Sequence, residues 1–491
     1  MSEQIVIVGF GPVAARLVEE LLPTVTAGRV ALTVLGAERA PAYNRVLLGE
    51  VAVGRVDPTT LTSLDVDGLR AAGARVELGT EVVAIDRSHR CVQTADGGHH
   101  RYDRLVLATG ARAFVPPLAG LENGLPPGAT TLRDLEDAAD VRGALAAGDS
   151  VVILGGGVLG VEAALAAREE GAPVTLVHTG AWPLHGVLDH GGGRLLAAEM
   201  RAAGIDLVAG SATVVRVGTD GRFAGLELAD GEVVRGGLLL VSCGVRARTR
   251  LAEAAGLAVG RGIRVDHQLR AEDRVYAVGD CAEVRCPAPT CPSCGEGTGP
   301  AGLVGPGWRQ AEWLAAHLLG SGTGPLTPER PAPLLLKARG LDVVVAGAVD
   351  DEPFDALDGA RQVTQWADPA HRSYAKIVTD DGVLAGVVCI GLPRTAAELV
   401  LLLERGAELP ADRASLLNLE VADTPPRVGA RPEDTLCRCS GATVGAVESA
   451  IHDGCATVAD VGAATRAGTG CGSCTERICA LLDLRQAALV G

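Results

Sequence analysis

The strongest constraint on the fold is a glycine-rich turn close to the start of the chain. An apolar stretch, residues 5–8, runs directly into residues 9–14, which read G-x-G-x-x-A and lead into a helical pattern. In such a strand–turn–helix the first glycine permits a tight turn, the second lets the backbone approach a pyrophosphate, and the small last residue allows close helix–strand packing. The turn therefore predicts a dinucleotide site. Its predicted contacts are Gly9, Gly11, Pro12 and Ala14.

A second turn of the same kind follows the apolar stretch 151–154. It reads G-x-G-x-x-G, with Gly155, Gly157 and Gly160 at the three glycine positions. Two dinucleotide sites in one chain usually serve to pass a hydride from a nicotinamide to a flavin, because the flavin then divides the electron pair into single electrons. The alternatives are an ordinary α/β turn in the first case and a site that no longer binds in the second. Together the two turns predict two bound nucleotides.

Length and charge narrow the class of protein further. The chain has 491 residues, 47% of them apolar, which suits three or four domains with sizeable cores. A net charge of −16 and a pI of about 5.1 argue against nucleic acid or an anionic membrane as partner. We read no signal peptide at the start and no apolar window of about 18 residues, so we expect a cytoplasmic protein without a membrane span. In that compartment the 13 cysteines are expected as metal ligands or buried thiols.

Two features after the first turn extend the first nucleotide site. Glu38 follows the second predicted strand, where an acidic side chain meets the adenosine ribose. The run from Pro41 to Leu48 resembles the FAD-dependent pyridine nucleotide reductases, and specifically the FAD-binding part of the large subunit of assimilatory NAD(P)H nitrite reductases. That resemblance implies that Arg45 is a catalytic residue beside the isoalloxazine. The alternative is that Arg45 is a cation of a surface loop.

Two more strand ends resemble FAD-contacting segments of the same family. One strand ends in Ala-Thr-Gly, where these chains leave the FAD domain, and the other ends in Gly-Asp. The resemblance implies that this aspartate binds the ribityl chain of FAD, although nitrite reductase relatives often carry glutamate there. The four positions are Thr109, Gly110, Gly279 and Asp280.

The nicotinamide site is less well defined. Glu162 resembles the glutamate that these reductases place near the nicotinamide, and it is the second predicted catalytic residue. An acid at the start of a helix is equally well explained by the helix dipole. The second strand of this unit ends at His178, without the acid that selects a free ribose or an arginine for a 2′-phosphate. The choice between NADH and NADPH therefore stays open.

Four cysteines in the tail form the second specific pattern. A C-x-C pair is followed after 31 residues of helical character by a C-x2-C pair, and this spacing closely resembles the bacterioferritin-associated-ferredoxin-like [2Fe-2S] domain. A four-cysteine zinc site is the alternative. We favour iron, because a flavin reduced by two electrons needs a one-electron outlet. The predicted ligands are Cys437, Cys439, Cys471 and Cys474.

Another group of cysteines lies in a loop rich in proline and glycine. Cys286, Cys291 and Cys294, with Cys281 as a fourth, have a spacing compatible with zinc or an iron–sulfur cluster. Relatives do not need such a site, so free or locally paired thiols are the other interpretation.

The predicted fold class is α/β, with two Rossmann-like domains, for FAD and for NAD(P)H, of the glutathione-reductase-like flavoprotein type. A small α+β interface domain, suited to packing or to a homodimer, and a small helical [2Fe-2S] domain follow. The predicted boundaries are 1–115 and 247–325 for the two parts of the FAD domain, 116–246 for the NAD(P)H domain, 331–423 for the interface domain and 433–491 for the cluster domain.

These elements predict a linear electron path from NAD(P)H to FAD, to [2Fe-2S], and on to a partner protein. The resemblance implies that this partner is a separate catalytic subunit of an assimilatory nitrate or nitrite reductase. The resemblance to nitrite reductase large subunits covers nearly the whole chain but stops where their siroheme and [4Fe-4S] half would begin. We see no further cysteine-rich segment to bind that group, so we do not predict nitrite chemistry within this chain. One alternative is a general ferredoxin or rubredoxin reductase. The other is a redox-sensing or iron-handling binding protein that uses the cluster domain for docking.

Overall fold

The first glycine turn lies at the carboxyl end of a central strand in a mostly parallel sheet. The computed structural model describes residues 2–62, 64–285, 299–300, 302–321, 324–326, 333–338, 340–353, 360–410, 413, 416, 431–470, 472 and 474–490. In this part of the chain the first sheet has six strands, in the order Arg270–Glu272, Val275–Ala277, Arg104–Leu107, Glu3–Val8, Val30–Gly36 and Arg75–Leu78. All neighbouring strands run parallel except the first pair.

Two long helices pack on this sheet and on each other. Pro12–Thr26 and Val304–Leu318 share one apolar core with the strands, and Arg16 Nε donates to Glu312 Oε1 at 2.8 Å between them. Strands that are covered on both faces are apolar throughout. This explains the unbroken apolar runs at residues 5–8 and 105–107.

The second glycine turn belongs to a separate parallel sheet. Its five strands, as far as the chain is described, follow the order Ile205–Ala209, Val174–His178, Val151–Leu154, Leu238–Val241 and Ala129–Thr130. The accompanying helices are Leu135–Ala146, Val158–Glu169 and His190–Ala202. Asp134 and Asp189 cap the first and third of these helices by accepting backbone N–H groups.

Shorter elements complete these two units. Ala111–Ala113 pairs antiparallel with Val245–Ala247. The first of these strands lies where the chain leaves the first sheet, and the second lies where it returns. Ile263–Val265 pairs with Ala282–Val284. Two small antiparallel sheets are formed by Val82–Asp86, Cys91–Thr94 and His99–Arg101, and by Ala212–Val217, Phe223–Leu228 and Val233–Arg235. The short helices are Arg45–Leu47, Leu48–Ala52, Pro58–Leu61, Val66–Ala71, Arg250–Ala254 and Gly279–Cys281.

An antiparallel sheet forms the third unit. Its strand order is Leu334–Ala338, Leu341–Gly347, Val383–Ile390, Ser373–Asp380 and Arg361–Asp368. The helix Pro393–Arg405 packs on it, and the short helix Pro369–His371 joins two of its strands. Apolar residues of this sheet share a core with those of the second sheet, so the two units are fixed against each other.

A buried lysine marks the contact between these two units. Lys376 is fully buried, and its Nζ lies 3.5 Å from Asp189 Oδ2 and 3.4 Å from Glu352 Oε1. Asp189 is almost fully buried as well and also accepts from the Tyr374 hydroxyl. The two carboxylates compensate a cation that has no access to water.

Replacing Lys376 with methionine should lower the free energy of unfolding by about 3–5 kcal/mol, because the buried Asp189 carboxylate would lose its counter-ion. Arg361→Ala is the matched control on the same sheet. Its pairs with Asp351 and Asp380 are well exposed, so we expect a loss of about 1 kcal/mol or less. Denaturant unfolding measures both values, and equal losses in the two variants would contradict the assigned role of Lys376.

The last unit is a small helical one. Thr435–Cys437 pairs with Ala442–Thr443, and the helices Val444–His452, Val458–Thr465 and Thr475–Val490 follow. Thr457 and Asp460 form a capping box at the second of these helices. No helix in the described residues is both long enough and apolar enough to cross a bilayer.

Candidate functional site

The first glycine of each turn occupies a position that only glycine tolerates. Gly9 has φ +103° and Gly155 has φ +124°. A Cβ on Gly9 would lie 2.2 Å from the Ala108 carbonyl oxygen, and one on Gly155 would lie 2.2 Å from that of Ser242. Both turns are therefore pressed against the neighbouring strand end, as dinucleotide folds require.

The second glycine of each turn faces open space. Gly11 and Gly157 precede the long helices of their units without a side-chain cap among the described residues. A Cβ on Gly157 would meet no described atom within 4 Å, and one on Gly11 would meet only Arg45 Nε, at 4.0 Å. Uncapped backbone N–H groups at such a helix start bind phosphate. Both turns thus fit the pyrophosphate of a dinucleotide.

One cavity of about 1220 Å³ connects the two units. Eleven of the predicted site residues line it: Gly9, Gly11, Pro12, Ala14, Glu38, Arg45, Thr109, Gly110, Glu162, Gly279 and Asp280. Glu162 comes from the helix after the second turn, so the second unit faces the same cavity as the first. The glycines of the second turn, Gly155, Gly157 and Gly160, are not among its lining residues.

Arg133 holds Asp280 in this cavity, and the sequence analysis missed it. Its Nη2 donates to Asp280 Oδ2 at 2.7 Å and its Nε donates to the Ala111 carbonyl oxygen at 3.2 Å. The Arg133 carbonyl oxygen accepts from Arg45 Nη1 at 2.9 Å. Arg133 therefore links two of the predicted FAD contacts. No motif signals it, because residue 133 lies in an irregular segment far from both partners in sequence.

Glu38 and Arg45 form an ion pair at the edge of the cavity. Tyr43 donates its hydroxyl to Glu38 Oε2 at 2.9 Å, and Arg45 Cζ lies 4.7 Å from the centroid of the Tyr43 ring. Burial is the main cause that raises the pKa of Tyr43, so the hydroxyl remains a hydrogen-bond donor. The sequence predicts that Glu38 contacts the adenosine ribose and that Arg45 lies beside the isoalloxazine, and the structure pairs these two side chains with each other.

The second nucleotide site has a histidine where many such sites have an acid. His178 ends its strand, is 6% exposed and has a buried Nδ1 without a hydrogen-bond partner among the described residues. Burial is the main cause that lowers its pKa, which favours the neutral ring.

Three of the four predicted cluster ligands lie in contact. Cys437 and Cys474 are buried and Cys439 is half-buried. Hydrogen bonds from the Cys439 and Cys474 thiols, the first being the larger effect, lower the pKa of Cys437 far below its ordinary value. A thiolate with two adjacent thiols suits an iron–sulfur cluster. Cys471 lies outside the described residues, and within them no group of three or more Cys, His, Asp or Glu side chains has metal-site geometry.

The loop cysteines Cys286, Cys291 and Cys294 also lie outside the described residues, so a metal there stays a prediction. Cys281 ends the short helix Gly279–Cys281 and is fully buried in the core of the first unit. Its thiol donates to the carbonyl oxygens of Leu107 at 3.3 Å and Val278 at 3.2 Å. Burial raises its pKa, which disfavours the thiolate that a metal would need.

Two Rossmann-like units that share one cavity, followed by a small unit with adjacent thiols, define a flavoprotein of the nicotinamide-linked class. Residues 3–300 match the family described as pyridine nucleotide-disulphide oxidoreductase, and residues 435–483 match the BFD-like [2Fe-2S] binding domain. The chain belongs to the pyridine nucleotide-disulphide oxidoreductase family. Membership implies FAD and NAD(P)H as cofactors, and the second match implies a [2Fe-2S] cluster.

Curated relatives match along nearly the whole chain. A nitrite reductase [NAD(P)H] of Bacillus subtilis is 30% identical over 96% of this chain and 56% of its own length. The assimilatory nitrate reductase electron transfer subunit of Bacillus subtilis is 28% identical over 96% of this chain and 58% of its own length. The chain thus spans a little over half the length of each of these two relatives.

A solved structure confirms the fold. The covalent putidaredoxin reductase–putidaredoxin complex superposes with a TM-score of 0.71 at 24% identity, over 85% of this chain and 96% of the matched one. The predicted resemblance, the α/β fold class and the three cofactors are confirmed. The assignments of individual site residues and the domain boundaries stay predictions.

Asp280→Ala should reduce the FAD content of the purified protein, because the carboxylate that faces the cavity would be lost. Asp273→Ala is the matched control, since Asp273 lies seven residues earlier on the same segment with a side chain that is 88% exposed. Flavin absorbance per chain measures both. Full FAD content and normal bleaching in Asp280→Ala would remove Asp280 from the site.

Proposed function

We propose that this chain carries electrons from NAD(P)H through FAD and a [2Fe-2S] cluster to a separate catalytic subunit of an assimilatory nitrate or nitrite reductase. The observation that supports this best is the position of Cys439 beside the wall of the nucleotide cavity. Val304 lines that cavity, and a Cβ on the next residue, Gly305, would lie 3.5 Å from the Cys439 carbonyl oxygen. When bound, FAD accepts a hydride from NAD(P)H and the cluster carries single electrons onward.

The residues of the cavity have distinct roles in this proposal. The turn at Gly9 and Gly11 binds the pyrophosphate of FAD, and the turn at Gly155 and Gly157 binds that of NAD(P)H. The carboxylates of Glu38 and Asp280 accept hydrogen bonds from hydroxyl groups of FAD. Arg45 holds Glu38 in place, and Arg133 holds Asp280. The two proposed catalytic residues are Arg45 and Glu162. The proposed domains are residues 1–115 and 247–325 for FAD, 116–246 for NAD(P)H, 331–423 for the interface domain and 433–491 for the cluster domain.

The cluster and the partner complete the proposal. Cys437, Cys439, Cys471 and Cys474 hold the cluster. The partner is proposed from the names of the two Bacillus subtilis relatives, one of which is an electron transfer subunit. The proposed compartment is the cytoplasm, because the cluster needs cysteines that are kept as thiols.

Reconstitution tests the proposal. The purified chain is mixed with an assimilatory nitrate or nitrite reductase, and NAD(P)H oxidation is followed by absorbance. We expect oxidation that depends on the chain, on the reductase and on nitrate or nitrite together. Rapid reduction of a ferredoxin or rubredoxin with no nitrate- or nitrite-dependent oxidation would instead support a general ferredoxin or rubredoxin reductase.

A further inference from the structure

We infer that Asn44, Trp308 and Arg466 form a docking contact that holds the cluster loop, defined as residues 466–470, against the flavin cavity. Electrons pass from flavin to cluster across this contact. The inference rests on the proposed function, because it assigns positioning residues to that electron path. It concerns a contact between the first and last units of the chain, which lie far apart in sequence.

Asn44 fixes the backbone of the cluster loop. Its Nδ2 donates to the carbonyl oxygens of Thr469 at 3.0 Å and Gly470 at 2.8 Å. Gly470 immediately precedes the predicted ligand Cys471, and Asn44 immediately precedes Arg45, which lines the cavity. Two hydrogen bonds from one side chain therefore tie a ligand-bearing loop to the cavity rim.

Trp308 lies between the cavity and the cluster loop. Its indole Nε1 donates to the carbonyl oxygen of Pro12, a cavity-lining residue, at 3.2 Å. A Cβ on Gly470 would lie 2.8 Å from Cys439 Cβ and 3.7 Å from Trp308 Cη2. A predicted ligand, the loop and the indole ring thus meet at one point, and this packing needs a glycine at position 470.

Arg466 closes the contact from the other side. Its guanidinium pairs with Glu19 on the helix Pro12–Thr26, and its Cζ lies 5.9 Å from the centroid of the Trp308 ring. Arg466 ends the helix Val458–Thr465 with φ +61°, a backbone conformation that favours glycine. The helix dipole favours a cation at this end, but the positive φ disfavours any residue with a Cβ, and the contacts of the Arg466 side chain with Glu19 and Trp308 help to offset that strain.

The electron balance of the step is simple. With the cofactors bound, NAD(P)H would give a hydride to the flavin, which would release two electrons in separate transfers and one proton to water. A [2Fe-2S] cluster held by the tail cysteines would take each electron in turn, and the partner reductase would remove it before the next. No bond of the protein forms or breaks, so the protein contributes only the short separation that the docking contact maintains.

Two substitutions break the contact without removing a predicted cofactor residue. Asn44→Asp keeps the oxygen that accepts from Val46 N at 3.1 Å but directs a carboxylate at the loop carbonyl groups. Arg466→Gly removes the guanidinium and suits the left-handed backbone. Arg485→Ala is the matched control, because Arg485 donates to the His452 carbonyl oxygen within the last unit, at 3.1 Å.

Two measurements on the full chain, with FAD and the [2Fe-2S] cluster bound, test the inference. Hydrogen–deuterium exchange of residues 304–308 and 466–470 reports the contact itself, and anaerobic stopped-flow mixing with NAD(P)H separates flavin bleaching from cluster reduction. In both variants we expect faster exchange, unchanged flavin bleaching and cluster reduction slowed at least about tenfold. The control should match the wild type throughout.

Faster exchange together with wild-type cluster reduction in either variant would overturn the inference, as would unchanged exchange in both. If Asn44→Asp fails to retain its cluster, Arg466→Gly decides, because that substitution relaxes the backbone. Failure of the proposed function would show in the wild-type protein instead. Either NAD(P)H would not reduce its cluster, or its electrons would not reach the nitrate or nitrite reductase.

Discussion

Replacing Cys437 with serine should abolish electron delivery to the nitrate or nitrite reductase while NAD(P)H still bleaches the flavin within about twofold of the wild-type rate. Cys437 is buried beside the Cys439 and Cys474 thiols, which lower its pKa, so its loss would remove one of the four proposed thiolate ligands. The residues predicted to bind FAD and NAD(P)H all precede residue 281, so replacing Cys437 leaves them unchanged. Stopped-flow absorbance measures the bleaching, and coupled NAD(P)H oxidation measures the delivery.

The control for this experiment is Cys479→Ser. Cys479 is an exposed cysteine of the same unit that lies outside the C-x-C and C-x2-C pairs, so iron content and electron delivery should be unchanged. A Cys437→Ser protein without its cluster that still feeds the reductase at the full rate would make the flavin the exit point. The last unit would then be a docking or regulatory element.

A matched pair of glycine substitutions should separate the two nucleotide sites. Gly11→Ala should lower the FAD content, and Gly157→Ala should raise the KM for NAD(P)H by at least about tenfold with FAD retained. Gly11 and Gly157 have φ −90° and −77°, which alanine adopts without strain. The added methyl group points into open space in the protein, so it interferes only with a bound pyrophosphate. Flavin absorbance and steady-state kinetics give the two values.

Thermal unfolding supplies the control for this pair. Neither variant should change Tm in the nucleotide-free protein, whereas Gly155→Ala should lower it, because that Cβ would lie 2.2 Å from the Ser242 carbonyl oxygen. Loss of FAD in Gly157→Ala, with normal FAD in Gly11→Ala, would exchange the two assignments. Normal FAD content and normal KM in both variants would exclude both turns as phosphate sites.

Local patterns predicted much of the fold and of the cavity. The first glycine of such a turn permits the sharp change of direction between strand and helix, so the sequence alone places Gly9 and Gly155 at strand ends. Asp280 could be placed in the cavity only through the family resemblance. The four tail cysteines could be predicted as ligands because their spacing resembles that of a known [2Fe-2S] domain.

The contacts that hold the site together could not be predicted. Arg133 reaches Asp280 across 147 residues of sequence, and Asn44 reaches Gly470 across 426. Such contacts depend on how whole units pack, which no local period encodes. Lys376 shows the same limit, because a lysine in a strand pattern normally faces solvent, and only the packing of two units buries it between carboxylates.

Anaerobic rapid mixing of the wild-type protein with NAD(P)H, followed by addition of the reductase with nitrate or nitrite, tests the central claim most directly. Flavin absorbance and the electron paramagnetic resonance signal of the reduced cluster are recorded over time. We expect the flavin to bleach first and the cluster signal to rise next, at a rate no lower than the turnover rate. Addition of the reductase with nitrate or nitrite should then oxidise the cluster and abolish its signal. A cluster that stays oxidised while the reductase turns over at its full rate would contradict the account.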